Sequence, residues 1–308
     1  MGDFLEETEF IWFNGKMQKW KETQTHFLTH SLHYGTAVFE GIRCYKTEKG
    51  PAVFRLKDHI KRLIESGKIA GMEIPYTEEE LVKATKEVIK KNKVNECYIR
   101  PIAYYGYGKM GLDTKGAVID VGIALWPWGA YLGEEGKLKG IRAKVSSYSR
   151  HHVNSMMIHA KISGSYVNST MAKMESLKAG YEEAVMLDTQ GFVAECTGEN
   201  IFIAKGGKVF TPPTSVCLKG ITRDSVINIL KDNGIEVIEK QLSRDEVYVA
   251  DECFLTGTAA EITPIRELDD KKIGSGSAGK ITQMVQEKYH SIIHGKDKKY
   301  EKWLDFTE

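Results

Sequence analysis

Tyr131-Leu132-Gly133-Glu134-Glu135-Gly136-Lys137-Leu138-Lys139-Gly140 is rich in Gly, Glu and Lys and has little apolar periodicity. That is the composition of an exposed linker, and it places a boundary inside a chain of 308 residues. A chain this long is comfortable as two domains, since domains usually run about 100–200 residues. The division expected is therefore residues 1–130, an interdomain loop over residues 131–139, and residues 140–308.

Working outward toward the N-terminus, Phe10-Ile11-Trp12-Phe13 meets Lys16 to Trp20 across Asn14-Gly15. Asn-Gly supplies the positive φ angles of a two-residue hairpin turn. Strand-like runs come next at Ala37 to Tyr45 and Pro51 to Arg55, then helical patterning from Lys57 to Met72 and from Glu78 to Lys91. Thr77 and Glu80 have the spacing of a capping box for the second helix. Strands near Cys97 to Tyr105 and Ala117 to Trp128 complete the first half. Beyond the linker, strands are expected near Ile141 to Tyr148, Glu183 to Leu187, Asn200 to Ala204, Glu236 to Lys240 and Glu252 to Thr256. Helices interleave near Gly164 to Ala179, Thr222 to Asn233 and Ala278 to Ile293, which makes the fold class α/β (α+β). The lysine-rich stretch from Lys296 to Lys302 reads as a solvated face without assigned function.

Composition excludes several classes. A formal net charge of +1 leaves no strong field for nucleic acid or an anionic membrane, so a small-molecule substrate is expected. Five scattered cysteines form no CxxC pair and read as reduced residues of a cytoplasmic protein. The N-terminal residues lack the basic start and apolar run of a signal peptide, and Glu6 stands where myristoylation needs Ser or Thr. The longest apolar stretch, Val121 to Leu132, is short of the ~20 residues of a membrane span and contains Pro127.

Four motifs carry chemistry, each beside a plainer reading. Gly106-x-Gly108-x-x-Gly111 matches a dinucleotide fingerprint, but Leu112 to Gly116 is a turn leading into a strand, so the context fails and a flexible loop is the better reading. His26, His30 and His33 would share a stripe on a helix, yet no carboxylate motif accompanies them; structural histidines and no metal are expected. Leu218-Lys219-Gly220-Ile221-Thr222 precedes an apolar-periodic helix, where unpaired N–H groups and a partial positive charge can cup a phosphate. An ordinary capped helix accounts for the same residues. Lys161, in Ile158-His159-Ala160-Lys161-Ile162-Ser163-Gly164, has apolar neighbours and no acidic residue close in sequence, which suits an amine nucleophile toward a carbonyl as well as a solvated lysine.

Taken together, Lys161, Ala194-Glu195-Cys196-Thr197-Gly198-Glu199-Asn200, Gly220-Ile221-Thr222 and Thr256-Gly257-Thr258-Ala259-Ala260-Glu261 occur in one order that resembles the fold-type IV pyridoxal-phosphate enzymes. Tyr34-Gly35-Thr36-Ala37-Val38-Phe39-Glu40-Gly41-Ile42-Arg43, Tyr98-Ile99-Arg100-Pro101 and Pro127-Trp128-Gly129-Ala130-Tyr131-Leu132-Gly133 resemble the branched-chain amino-acid aminotransferases in particular. The resemblance spans Ile11 to Trp303.

It implies a small N-terminal α/β domain and a larger cofactor-binding α/β domain with pyridoxal 5′-phosphate in the cleft. Lys161 would hold the cofactor as a Schiff base and shuttle the proton at the substrate α-carbon. Glu195 would pair with the ring nitrogen, Tyr166 with the phenolic oxygen, and Arg62 with Gly220, Ile221, Thr222, Gly257 and Thr258 would surround the phosphate. Asn200 would be a supporting residue. Phe39, Gly41, Trp128, Tyr131 and Tyr166 would border an apolar side chain. Tyr98 and the N–H groups of Thr258 and Ala259 would take the α-carboxylate, and Arg100 the distal carboxylate of glutamate. Tyr34, Met110 and Leu112 would reach a partner subunit's site, making a homodimer the minimum unit, with hexamers formed from dimers occurring among relatives.

The implied reaction is reversible amino transfer between L-leucine, L-isoleucine or L-valine and 2-oxoglutarate. The same fold also hosts D-amino-acid and amine aminotransferases and aminodeoxychorismate lyase; a silent cofactor-binding scaffold is the reading from another class. Two departures stand out: Lys219 where the family often has proline, and a loop made aromatic by Tyr104, Tyr105 and Tyr107, which bears on substrate range.

Overall fold

A computed structural model describes residues 5–129 and 132–307. They form two compact units: residues 5–128 with 160–164 and 292–307, and residues 129 and 132–159 with 165–291.

The first unit opens with β1 (Phe10–Phe13) and β2 (Lys16–Lys19), joined through Asn14 and Gly15 at φ 45° and 83°, the left-handed pair the dipeptide requires. A short helix α1 (His30–Tyr34) comes next, then β3 (Ala37–Phe39), β4 (Ile42–Thr47) and β5 (Gly50–Phe54). The single run expected from Ala37 to Tyr45 is thus two strands, interrupted at Glu40–Gly41. Helices α2 (Leu56–Ile69) and α3 (Glu78–Asn92) succeed them; Thr77 and Glu80 form the reciprocal capping box. Then β6 (Cys97–Tyr105) and β7 (Ile119–Trp126) pair antiparallel from Tyr98–Trp126 to Tyr105–Ile119.

The sheet order is Leu304–Phe306, β5, β4, β6, β7, β1, β2, with β3 also on β6. Alternation along β6 and β7 sends Cys97, Ile99, Ala103, Tyr105, Val121, Ile123 and Leu125 into a core shared with Leu56, Ile60, Leu63, Leu81, Val88 and Ile89 of α2 and α3. Tyr98, Arg100, Ala124 and Trp126 occupy the alternate positions and the opposite face.

The second unit comprises α4 (Gly133–Lys139), β8 (Ile141–Val145), α5 (Tyr166–Lys178), β9 (Glu183–Leu187), β10 (Val193–Cys196), β11 (Asn200–Lys205), β12 (Lys208–Thr211), α6 (Ile221–Asp232), β13 (Val237–Glu239), α7 (Arg244–Tyr248), β14 (Glu252–Gly257), β15 (Glu261–Leu268) and β16 (Lys271–Lys272). Helix α8 (Lys280–Ile293) follows in sequence, with its last two residues counted in the first unit. The sheet order is β10, β9, β8, β15, β14, β11, β12, β13, with β16 on β15. It is mixed: β8 runs parallel to both β9 and β15, and β12 parallel to β13.

Three expectations are corrected. The interdomain loop of residues 131–139 contains α4: Glu135, Lys137, Leu138 and Lys139 are good helix formers, Lys139 pairs with Glu135 one turn back, and Lys137 pairs with Glu261. The bounds 1–130 and 140–308 miss that residues 160–164 and 292–307 belong to the first unit. The stretch from Lys296 to Lys302 is not merely a solvated face. It runs into a 3₁₀ turn (Lys298–Trp303) that buries Tyr300 and delivers Leu304–Phe306 as an edge strand against β5.

Candidate active site

In the first unit, Lys161 lies on a short extended segment stitched to β3. Phe39 N donates to Lys161 O (3.1 Å), Lys161 N donates to the buried Ser66 Oγ on α2 (3.0 Å), and Val38 bridges Ile162. The far end is held by Gly164 N donating to Gly35 O (3.0 Å). That approach needs two glycines: Gly35 has φ +66°, and a Cβ on it would stand 2.9 Å from Gly164 Cα. So anchored, the Lys161 Nζ sits 5.1 Å from the centroid of the Phe39 ring.

The sheet face opposite the core supplies the surroundings. Tyr98 is cross-strand from Trp126, Arg100 from Ala124, and Phe39 from Ile102. The Arg100 guanidinium lies over Phe39 (4.9 Å), Tyr98 (5.5 Å) and Trp126 (5.6 Å); its Nε has no hydrogen-bond partner, and among the described residues no carboxylate pairs with it. Trp128 stands edge-on to Tyr98 at 4.6 Å, and its carbonyl accepts from Arg43 Nη2 (3.2 Å). Gly41 is buried where a Cβ would come within 1.9 Å of the Tyr98 hydroxyl, so tyrosine at 98 demands glycine at 41. Trp126 was not singled out in the sequence, although its period-2 relation to Trp128 is a signal that could have found it. Tyr34, Met110 and Leu112 are exposed, Leu112 at 86 %. Tyr131 lies outside the described residues.

Arg62 is held by a residue that the sequence did not flag. Its Nε and Nη2 donate to the two carboxylate oxygens of fully buried Glu40 (2.6 and 2.8 Å), and His59 Nδ1 donates to Glu40 as well (2.7 Å). Burial alone would raise the Glu40 pKa, but the Arg62 charge with His59 outweighs it and holds the carboxyl far below the usual range. Burial keeps His59 below its ordinary value against the pull of Glu40. The only sequence trace of this cluster was an acid inside the apolar run of Val38 to Ile42.

In the second unit, Tyr166 opens α5 and Glu195 is buried on β10. Glu195 Oε2 accepts from Leu218 N (3.2 Å). Its Oε1 lies 2.8 Å from Arg150 Nη2 as an ion pair, but at an angle that is not a hydrogen bond, so this oxygen keeps an unused acceptor site. Arg150 Nη1 donates to Asn168 Oδ1 (3.2 Å) and Ser169 Oγ (3.1 Å) on α5. Asn200 Nδ2 donates to Leu218 O (3.0 Å), so the Leu218 peptides are gripped from both sides just before Gly220 turns the chain into α6. Gly220 is the N-cap, no side chain caps the helix, and Ile221 and Thr222 form its buried first turn. Gly257 ends β14; Thr258 and Ala259 form the turn to β15, beside a buried Thr256 hydroxyl without a hydrogen-bond partner.

These features test the cofactor. A buried carboxylate oxygen lacking a donor suits a protonated ring nitrogen, and an uncapped helix N-terminus, braced through Leu218 to that same carboxylate, suits a phosphate. The residues present fit pyridoxal phosphate. The three spaced histidines have other work: His30 is buried between Thr36 Oγ1 and Gly111 O (both 2.8 Å), His33 bonds Phe27 O (3.0 Å) and His26 accepts from Leu28 N (3.0 Å). Among the described residues no group of three His, Cys, Asp or Glu could hold a metal, and no helix is long and apolar enough to cross a membrane. Of the three tyrosines expected in a loop, Tyr104 and Tyr105 are the last residues of β6, with Tyr105 in the core and donating to Gly71 O (2.7 Å), whereas Tyr107 is exposed beside His26.

Comparison with known proteins agrees with this geometry. The family model of class IV aminotransferases matches residues 37–268. The branched-chain-amino-acid aminotransferase of Pseudomonas aeruginosa is 47 % identical over 293 residues, covering 95 % of each chain. A branched-chain amino acid aminotransferase from T.th., solved with pyridoxamine 5′-phosphate, superposes with a TM-score of 0.96 at 47 % identity, covering 98 % of this chain and 100 % of its own. The same enzyme complexed with N-(5′-phosphopyridoxyl)-L-glutamate gives a TM-score of 0.94 at 45 % identity, covering 98 % of this chain and 100 % of its own. Similarity of this depth, unbroken along the chain, leads to one conclusion: the chain belongs to the class IV aminotransferases and, within them, to the branched-chain-amino-acid aminotransferases.

Proposed function

We propose that this chain transfers the amino group reversibly between L-leucine, L-isoleucine or L-valine and 2-oxoglutarate, in two half-reactions at one pyridoxal phosphate. The observation that carries the reading is Arg100, a guanidinium caged by rings and lacking a carboxylate partner among the described residues, on the sheet face where Lys161 Nζ meets Phe39. Rings suit an apolar side chain; an unpaired cation suits the distal carboxylate of glutamate.

When bound, pyridoxal phosphate supplies a carrier for the amino group and an electron sink that makes the substrate α-hydrogen acidic. Lys161 would anchor it through its amine and, once released, move the proton at the substrate α-carbon. Glu195 would hold the proton on the ring nitrogen, with Arg150 fixing the carboxylate. The Tyr166 hydroxyl would donate to the phenolic oxygen. Arg62, oriented by Glu40, and the first-turn N–H groups of Ile221 and Thr222, with Gly220, Gly257 and Thr258, would hold the phosphate, and Asn200 would keep the Leu218 turn in place. Tyr98 and the N–H groups of Thr258 and Ala259 would take the α-carboxylate; Phe39, Gly41, Trp128, Tyr131 and Tyr166 would border the side chain. Tyr34, Met110 and Leu112, all exposed in the single chain, would complete the site of a partner copy, in a homodimer or a hexamer formed from dimers, in the cytoplasm.

The test is the visible absorption of the cofactor-loaded protein. L-Leucine is expected to bleach it and 2-oxoglutarate to restore it, while Lys161→Ala responds to neither. A wild-type protein that responds to D-amino acids or amines but not to L-leucine overturns the substrate assignment.

A further inference from the structure

Trp126 has no role in the chemistry described so far, yet its placement is specific. It ends β7 directly across from Tyr98, and Arg100 is its diagonal neighbour two positions along β6. Diagonal pairs on one sheet face are within reach of long and aromatic side chains. The residue directly opposite Arg100 is Ala124, whose small side chain leaves the diagonal open. Trp126 is buried, with its ring set by Tyr98 at 5.1 Å and Trp128 at 5.8 Å. Arg100 lies 5.6 Å from that ring, and its other aromatic neighbours, Phe39 and Tyr98, both belong to the proposed substrate site. A guanidinium without a carboxylate partner is costly to hold out of water unless something answers its charge. Three ring faces do so without occupying its fork of donors, and indole is the strongest of them.

We propose that Trp126 is a specificity-determining residue: it caps the Arg100 guanidinium so that one pocket accepts a distal carboxylate in one half-reaction and an apolar side chain in the other. With an acidic substrate, the guanidinium keeps its planar donors for the carboxylate. With a branched aliphatic substrate, it rests against the rings and presents their apolar edges, with no desolvated cation left facing the methyl groups. This rests on the reading of Arg100 as the partner of the distal carboxylate.

The experiment compares kcat/KM for 2-oxoglutarate with that for the 2-oxo acid of leucine in wild type, Trp126→Leu, Trp126→Phe and Arg100→Met, each checked for folding by its melting temperature. Losing a desolvated cation–π partner is expected to lower the ratio of 2-oxoglutarate to leucine oxo-acid efficiency about 5- to 30-fold in Trp126→Leu. Most of the loss should lie in KM, and Trp126→Phe should recover part of it. An unmoved ratio in a folded Trp126→Leu, with both efficiencies reduced alike, overturns the proposal and leaves Trp126 as packing. If Arg100→Met also leaves the ratio unmoved, the assignment of Arg100 itself fails. A ratio that shifts in Arg100→Met but not in either Trp126 variant rejects the cap while keeping the arginine.

Discussion

Arg150 and Glu195 are far apart in sequence, and nothing local links them, yet the buried carboxylate has the Leu218 N–H on one oxygen and the guanidinium beside the other. Removing one partner of a buried ion pair strands the other charge, which typically costs about 3–5 kcal/mol. Arg150→Met is therefore expected to lower the urea midpoint markedly and to weaken pyridoxal-phosphate binding measured by titration of the apo-protein. Arg150→Lys, which keeps the charge without the fork, should recover only part of both. A midpoint equal to wild type in Arg150→Met would show that the pair contributes nothing. Glu195 was proposed from the sequence because its motif resembles the family's; Arg150 was not, because side-chain pairing across a fold leaves no spacing to read.

At the scale of elements, the Thr77–Glu80 capping box could be read directly from four adjacent residues and is present as expected. Its energetics are equally local: Thr77→Ala should cost about 1 kcal/mol of stability and leave cofactor affinity unchanged. The contact of Gly35 with Gly164 behaves differently. Both residues are visible in the sequence, but their meeting depends on the segment around Lys161 returning to β3. Gly35→Ala adds strain at a positive φ of about 1–3 kcal/mol and a backbone clash. It should move Lys161 as well as destabilise the fold. The expected signature is a melting temperature below that of Thr77→Ala together with slower formation of the visible lysine–cofactor band. A band forming at the wild-type rate would mean that the glycine contact does not position the lysine.

For the molecule as a whole, the second unit carries a buried carboxyl cluster whose ionisation affects global stability. Glu183, fully buried, is compensated by Lys173 (2.6 Å) and accepts from the Thr197 hydroxyl (2.6 Å). Glu199, also buried, is pushed up from 4.5 to about 8, first by burial and then by the Glu183 charge. The native state therefore holds a proton that the unfolded chain releases between these values. The contribution of Glu199 is full below about pH 4.5, declines as pH rises to about 8, and is level above that. Glu40 acts in the opposite sense: its depressed pKa contributes above the ordinary carboxylate range and fades as pH falls through it. Urea unfolding of wild type and Glu199→Gln at about pH 5, 6.5 and 8 should show the variant gaining relative stability at each step upward. A constant difference across the range would mean that Glu199 is already ionised in the native state.

The Asn14-Gly15 turn, helices α2, α3, α5, α6 and α8, and strands such as β6, β9, β11 and β14 were legible in the sequence alone, whereas α1, α4, α7, β10, β12, β15 and β16 were not, and Lys161, Glu195 and the Gly220–Thr222 turn were proposed for the site from the order of their motifs. Local periodicity, turn chemistry and motif order express themselves over a few neighbouring residues. Three things were decided only by tertiary structure. One is that residues 160–164 and the C-terminal strand pair within the first unit. The others are that Glu40 and His59 grip Arg62, and that Trp126 closes the ring cage on Arg100. Each depends on backbone pairing or burial between segments remote along the chain, and such contacts exist only after the intervening loops have closed.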